Sequence, residues 1–237
     1  MLIYGVNPVR EALRRGQVSR LLVQQGSGGG RLQTLLDAAR AGGVRIETVE
    51  RAAIDRAARG GVHQGIVAVI DEPKTWTIEG LVNRATGPAL ILVLDGIEDP
   101  QNLGAILRVA DAAGASGVIR QTRHAAPLGG AAAKASAGAV AHVKIADVVN
   151  IARAIDELKE AGVWTVGLDA GAPMTYDAVD FRQPTAVVLG AEGPGLRRLV
   201  KERCDLLASI PMRGHVQSLN VATAAAAVLF EAVRQRR

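Results

Sequence analysis

The chain has 237 residues, 49% hydrophobic and 22% charged, the balance of a globular protein with room for one large domain or two small ones. Aromatics are only 3%, which leaves the core to Leu, Val, Ile and Ala, and no apolar run reaches the roughly 18 residues of a membrane span. The single Cys204 excludes an internal disulfide and no Cys/His cluster has zinc spacing; a net charge of +5 tilts the partner toward a polyanion without defining it.

The opening MLIYGVNPVREAL has no basic segment ahead of an apolar one, so no secretory signal is expected, and a cytoplasmic location without a structural metal fits the composition. Asn7-Pro8 predicts an N-cap and first-turn proline for a helix through Leu13, stopped at Gly16. Strands follow at 20–24, 44–49 and 66–70, with helices at 31–41 and 51–59 between them. GSGGG at 26–30 sits between a strand and a helix, but Arg31 stands where a dinucleotide fingerprint needs its third glycine, so a surface turn is the reading. Pro73, Thr75, Gly87 and Pro88 then interrupt the rhythm, with one helical turn at Ile78–Asn83. The expected division is a small α/β domain over 1–72, a linker over 73–88 and a second domain over 89–237.

In the second unit, strands are predicted at 89–97, 117–120, 163–169, 185–190 and 206–210, and helices at 101–113, 130–137, 150–161, 195–202 and 219–235. Such continuous apolar strands alternating with helices predict an α/β fold whose parallel sheet is buried on both faces.

Three segments carry candidate chemistry. In DGIEDPQNLGAILRVADAAG, residues 95–114, Asp99-Pro100 has the form of a helix start, and Leu103, Ile106, Leu107 and Ala110 recur at helical spacing. Arg108 lies off that stripe on the side of Gly104, where the glycine leaves room for another backbone or a ligand; a solvated surface arginine satisfies the same geometry. In VVLGAEGPGL, residues 187–196, a strand runs into Gly190, Gly193 and Gly195, which permit close backbone approach to a ligand. Glu192 in that loop either accepts hydrogen bonds from a ligand or complements the dipole of the next helix. In SIPMRGHVQSLNV, Met212 reads as an apolar wall, Ser218 and Asn220 are both good N-caps, and a helix start there also offers free N–H groups. His215 has no assigned role.

In this order the segments DPQNLGAILR (99–108), LGAEGPGL (189–196) and IPMRGHVQSLNV (210–221) resemble the SpoU/TrmH branch of the knotted SPOUT methyltransferases, over the stretch from about Leu90 to the C-terminus. IYGVNPVREAL (3–13), HQGIVA (63–68) and KASAGAVAHVKI (134–145) are similar to the RlmB-type subgroup; Ala222 departs from the pattern, where relatives often carry Ser. The resemblance implies a deep trefoil knot near the C-terminus, a preceding RNA-binding domain, and a homodimer joined through the catalytic domain. It further implies transfer of a methyl group from S-adenosyl-L-methionine to a ribose 2′-hydroxyl, with a guanosine of large-subunit (23S) rRNA or a precursor particle as acceptor, and neither metal nor membrane. Carried onto this chain, the cofactor is expected against Leu189, Gly190, Glu192, Gly193, Ile210, Met212, Ser218, Leu219 and Asn220. Asn102, Arg108, Glu192, Ser218 and Asn220 form the expected catalytic set. The resemblance implies Arg108 as the general base. Because an ordinary arginine titrates far above neutrality, the alternative that it holds a phosphate or steadies an alkoxide while water takes the proton is preferred, and both roles stay open.

Two alternatives stand beside this reading. One is a tRNA or another rRNA loop as acceptor, and the other a non-catalytic RNA-binding assembly factor with the same fold. A nucleotide-dependent oxidoreductase is disfavoured by the missing fingerprint. Arg15, Arg20, Arg31 and Arg120 are each expected on a solvated face.

Overall fold

In a computed structural model, residues 1–70 and 75–237 are described, apart from the Arg31 side chain. The expected contribution of Arg31, and positions 73 and 74 of the expected linker, lie outside the described residues.

The first sheet is built from β1 (Leu2–Tyr4), β2 (Val18–Gln24), β3 (Arg45–Val49) and β4 (Ile66–Ile70), in the order β1-β4-β2-β3. β2 and β3 are parallel, joined through α2 (Gly30–Ala41), and β4 runs antiparallel to both β1 and β2. The short β1 was not expected, and it corrects the start of α1 (Val6–Arg14). Gly5, at φ 93, turns the chain out of β1 and is itself the N-cap; the Val6 N–H donates to Gln64 Oε1 at 2.9 Å. Asn7 and Pro8 therefore lie inside the first turn rather than capping it. α3 (Arg51–Ala58) closes the other face through the buried Ile54 and Ala58.

From Thr75 onward the chain packs on the second sheet. Thr77 caps α4 (Ile78–Asn83) by accepting from the Gly80 N–H at 3.0 Å, and Ile78 and Leu81 are buried. A Cβ on Gly117 would meet the Leu81 methyl groups at 2.5 Å and the Lys144 carbonyl at 2.9 Å, so the glycine lets Leu81 pack in its present position.

The second sheet has the order β7-β6-β5-β10-β8-β11-β9, with every pairing parallel. Its strands are β5 (Leu90–Asp95), β6 (Gly117–Gln121), β7 (Ile145–Val148), β8 (Trp164–Leu168), β9 (Met174–Thr175), β10 (Thr185–Gly190) and β11 (Leu206–Ser209). All residues of β5 and β10 are buried, as a strand covered by helices on both faces requires. Along β5 the alternation sorts Leu90, Leu92 and Leu94 toward α5 (Pro100–Ala112) and α9 (Val221–Gln235), and Ile91 and Val93 toward α7 (Ile151–Glu160). β7 and β9 were not expected; both are short strands on the outer side of the sheet, with little apolar alternation to mark them.

In this unit α8 and α6 depart most from the expected bounds. α8 spans Arg198–Arg203 instead of beginning at 195, because Gly195, at φ 69, is held in a bridge to Ala191. The segment expected as a helix over 130–137 is the shorter α6 (Ala131–Ala135), followed by a 3-10 turn at Ala139–Ala141.

The two sheets are held together on one side. The Gly130 N–H donates to the Leu2 carbonyl at 3.1 Å, and Glu11 on α1 is 2.7 Å from His142 Nε2. Arg15 is exposed, as expected, and from the surface it also reaches the Ala141 carbonyl and His142 of the other unit. No helix among the described residues is long and apolar enough to cross a membrane.

Candidate active site

A parallel sheet gathers its strand-to-helix loops at the carboxyl ends of the strands, and the three sequence segments meet there. The first is placed by the Asp99 cap, whose carboxylate accepts from the N–H groups of Gln101 at 3.1 Å and Asn102 at 3.3 Å. Pro100 opens α5, and Asn102 is thereby fixed in the first turn, 8% exposed.

The third segment ends in Asn220, which caps α9 by accepting from the Ala222 N–H at 2.9 Å and the Thr223 N–H at 3.4 Å. With its oxygen so engaged, the amide nitrogen points the other way. It donates to Asn102 Oδ1 at 2.8 Å and to Glu192 Oε1 at 2.9 Å. One side chain thus joins all three segments. Asn102 spends its oxygen on this bond, and its amide N–H groups have no partner among the described residues. Glu192 accepts from Asn220 and does not sit at the start of α8, so the helix-dipole role of the two read from its position is not the one found. Ser218, equally plausible as a cap, is not one; its hydroxyl is exposed and without a partner among the described residues.

The second segment folds back on itself. The Gly195 N–H donates to the Ala191 carbonyl at 3.0 Å, and a Cβ on Gly190 would overlap the Gly195 and Leu196 backbone. Gly193 has φ 83, and a Cβ there would meet nothing, so this glycine serves the turn and leaves its face open.

The loop is clamped to the sheet by a cluster that sequence reasoning missed. The fully buried Asp95 carboxylate accepts from the Arg197 backbone N–H at 2.9 Å and from Arg197 Nε at 2.7 Å. The same guanidinium donates to Gln121 Oε1 at 2.7 Å, and Gln121 donates in turn to the His124 carbonyl at 3.1 Å. An aspartate ending one strand and an arginine after another glycine loop were the available signals, but nothing local ties residues 95 and 197.

All nine residues expected to hold the cofactor line one cavity of about 410 Å³. Asp169 joins them. Its carboxyl is held below the usual range by the Lys201 ammonium 2.7 Å away, against the opposing effect of burial, with the Gly171 N–H adding a further bond. A second cavity of about 640 Å³, lined among others by Asp99, Asn102 and Gln121, adjoins the first and shares Ala191, Glu192, Gly195 and Val221 with it.

Arg108 is the exception. It is exposed, touches neither cavity, and has no hydrogen-bond or ion-pair partner among the described residues. The space beside Gly104 is taken by α6, since a Cβ there would lie 2.5 Å from the Ala132 carbonyl. Of the two occupants a glycine could admit, the backbone is the one found. Arg120 is likewise not on a solvated face but is paired with Asp147 at 2.7 Å, whereas Arg20 stays at the surface beside Glu47. Among the described residues no group of three or more His, Cys, Asp or Glu is placed to hold a metal ion.

An all-parallel α/β sheet with glycine and asparagine loops converging on one cleft defines the class, and the chain belongs to the SpoU rRNA Methylase family, whose model matches residues 89–230. Residues 2–76 match a second family, RNA 2′-O ribose methyltransferase substrate binding. The chain is 42% identical over 239 residues to the 23S rRNA (guanosine-2′-O-)-methyltransferase RlmB of Pseudomonas syringae pv. tomato, covering 99% of this chain and 95% of that one. Identity to the protein of the same name from Bordetella pertussis is also 42%, over 100% of this chain and 98% of the relative. Among solved structures, the SpoU methyltransferase AviRb from Streptomyces viridochromogenes, in complex with AdoMet, matches with a TM-score of 0.82 and 30% identity. That match covers 100% of this chain and 90% of AviRb.

Proposed function

We propose that this protein transfers a methyl group from S-adenosylmethionine to the 2′-hydroxyl of a guanosine ribose in 23S rRNA, free or in a precursor particle. The observation that carries the proposal is the Asn220 side chain, which joins Asn102 and Glu192 at the boundary between two adjoining cavities. The named activity of the relatives and the AdoMet bound to AviRb support it.

The first cavity fits the cofactor chemically. Leu189, Ile210, Met212 and Leu219 offer apolar surface for an adenine ring, Gly193 leaves its side open, and Ser218 and Asp169 offer polar atoms for hydroxyl or amino groups. S-adenosylmethionine, when bound, supplies a methyl group already activated by the sulfonium charge. The protein's task is then alignment, which contributes roughly 7–11 kcal/mol where reacting atoms are held near contact. Asn220 and the Asp95–Arg197 clamp keep Glu192 and the glycine loop in place, and the unpartnered Asn102 amide faces the second cavity, where the acceptor ribose belongs.

Arg108 acts by holding a phosphate or steadying the developing alkoxide, with water as proton acceptor. Within one chain it stands away from the cleft, so a homodimer packed through α5 and α9 is part of the proposal. α9 offers the half-buried Ala226 and Ala227 and the exposed Phe230 for that contact. The trefoil knot, the division into domains at 1–72 and 89–237, and a cytoplasmic location are carried in the same reading. The two separate family matches support the division.

The test is transfer of labelled methyl groups from S-adenosylmethionine to unmodified RNA resolved by size. Label in large-subunit rRNA is expected. Label in tRNA alone would retain the reaction and replace the substrate, and no cofactor binding at all would remove the enzyme reading.

A further inference from the structure

We infer that the cavity between the two sheets is a second nucleotide site, which takes a base of the substrate RNA neighbouring the acceptor. The inference rests on the RNA-methylating reading above and adds to it a place that the cofactor cleft does not contain.

The cavity measures about 650 Å³ and opens between β1, the end of α3 and the loop at 127–131. Leu2, Ala57 and Ala58 face it from the N-terminal unit, and Pro127 and Leu128 from the other. Between these aliphatic walls stands Tyr4, only 6% exposed, whose hydroxyl has no hydrogen-bond partner among the described residues. The hydroxyl is not sealed from solvent, so its donor and its acceptor are both open to a ligand in the cavity. The ring is held where it is by bare backbone. A Cβ on Gly61 would overlap it, one on Gly130 would come to 3.4 Å, and one on Gly129 would lie 2.7 Å from the Leu2 carbonyl.

The charge around the cavity suits a phosphodiester. Arg120 is already engaged by Asp147 and the Ala126 carbonyl. Arg59, in the left-handed region at φ 49 just beyond α3, is exposed and has no partner among the described residues. An apolar slot with one unpartnered hydroxyl and one unengaged guanidinium at its rim matches a splayed base with its phosphate outside. Continuity points the same way. Asp99 lines the acceptor cavity and Pro100 lines this one, so only the first turn of α5 separates them. A strand leaving the acceptor cavity toward the N-terminal unit therefore passes over this opening.

Two measurements test the site. Tyr4→Phe removes a hydroxyl that has no partner among the described residues, and Arg59→Gln removes one charge. Each is expected to raise the KM for unmodified large-subunit RNA by roughly three- to tenfold, the range of one hydrogen bond, with S-adenosylmethionine affinity and Tm unchanged. In addition, Ala57→Cys places a reactive thiol in the cavity, while the native Cys204 stays silent because burial pushes its thiol up to about 12. The RNA should slow alkylation at position 57 and S-adenosylmethionine alone should not. RNA that binds the wild type, leaves position 57 equally reactive and shows an unchanged KM with Tyr4→Phe would overturn the inference while leaving the methyltransferase reading intact. RNA that does not bind the wild type at all would overturn both.

Discussion

At the scale of single residues, Asn220 does two jobs that sequence patterns present as alternatives. Its oxygen caps α9, and its nitrogen draws Asn102 and Glu192 together. Asn220→Asp separates them. The cap survives, since Asp caps as well as Asn does, but a carboxylate now faces two acceptor oxygens. Cofactor affinity measured by calorimetry should drop at least about tenfold, one charge-assisted hydrogen bond or more. Asn220→Ala should lose the cap as well, at about 0.5–2 kcal/mol in denaturant unfolding. Arg108 is the converse case, a residue whose side chain has no hydrogen-bond or ion-pair partner among the described residues. Arg108→Ala should leave Tm and cofactor affinity unchanged and reduce turnover by about 10²-fold or more. Cofactor affinity falling in step with turnover would count against its assigned role. The residue types at these positions were legible in the sequence. The bond between positions 102 and 220 was not, because their meeting depends on the stacking of whole strands.

At the scale of elements, local chemistry was legible where the cap and the helix are neighbours in sequence. Asp99 and the start of α5 follow that rule. α1 does not, since its start is decided by Gly5 and by Gln64, a residue from the other end of the same unit. The glycine loop is the element on which the cofactor cleft most depends. Gly190→Ala would push a methyl group into the Gly195 and Leu196 backbone, and overpacking against backbone costs about 1–3 kcal/mol or more. Loss of cofactor binding ahead of loss of fold is the expected outcome, read by calorimetry beside circular dichroism. Asp169 and Lys201 add a pH dependence on the same cleft. The Asp169 pKa is lowered from its ordinary 3.8, so the folded state holds this proton less tightly than the unfolded chain. Its contribution is therefore full above the ordinary value and disappears as pH falls through the lower folded one. Stability contributed by this pair should be flat across neutral pH and decline only in acid below that range, and Asp169→Asn should remove that part of the decline.

At the scale of the whole molecule, the apolar runs announced a parallel sheet buried on both faces, and β5 and β10 carry it at the centre. The order of the strands was not legible. Placing β10 between β5 and β8 is a long-range choice that leaves no local mark. The same holds for the Asp95–Arg197 clamp and for the cavity between the sheets, both made by segments far apart in the chain. The architecture brings two cavities together at Glu192, with the N-terminal unit beside them, and on the proposed reading one takes the cofactor and the other the acceptor. The central claim is that the methyl group goes to a ribose oxygen. The most direct measurement is alkaline hydrolysis of RNA labelled by the enzyme with methyl-tritiated S-adenosylmethionine. A 2′-O-methyl group blocks the internal attack that cleaves the chain, so the label should emerge in an alkali-stable dinucleotide beginning with guanosine. Label released on a mononucleotide would place the methyl group on a base and contradict the account.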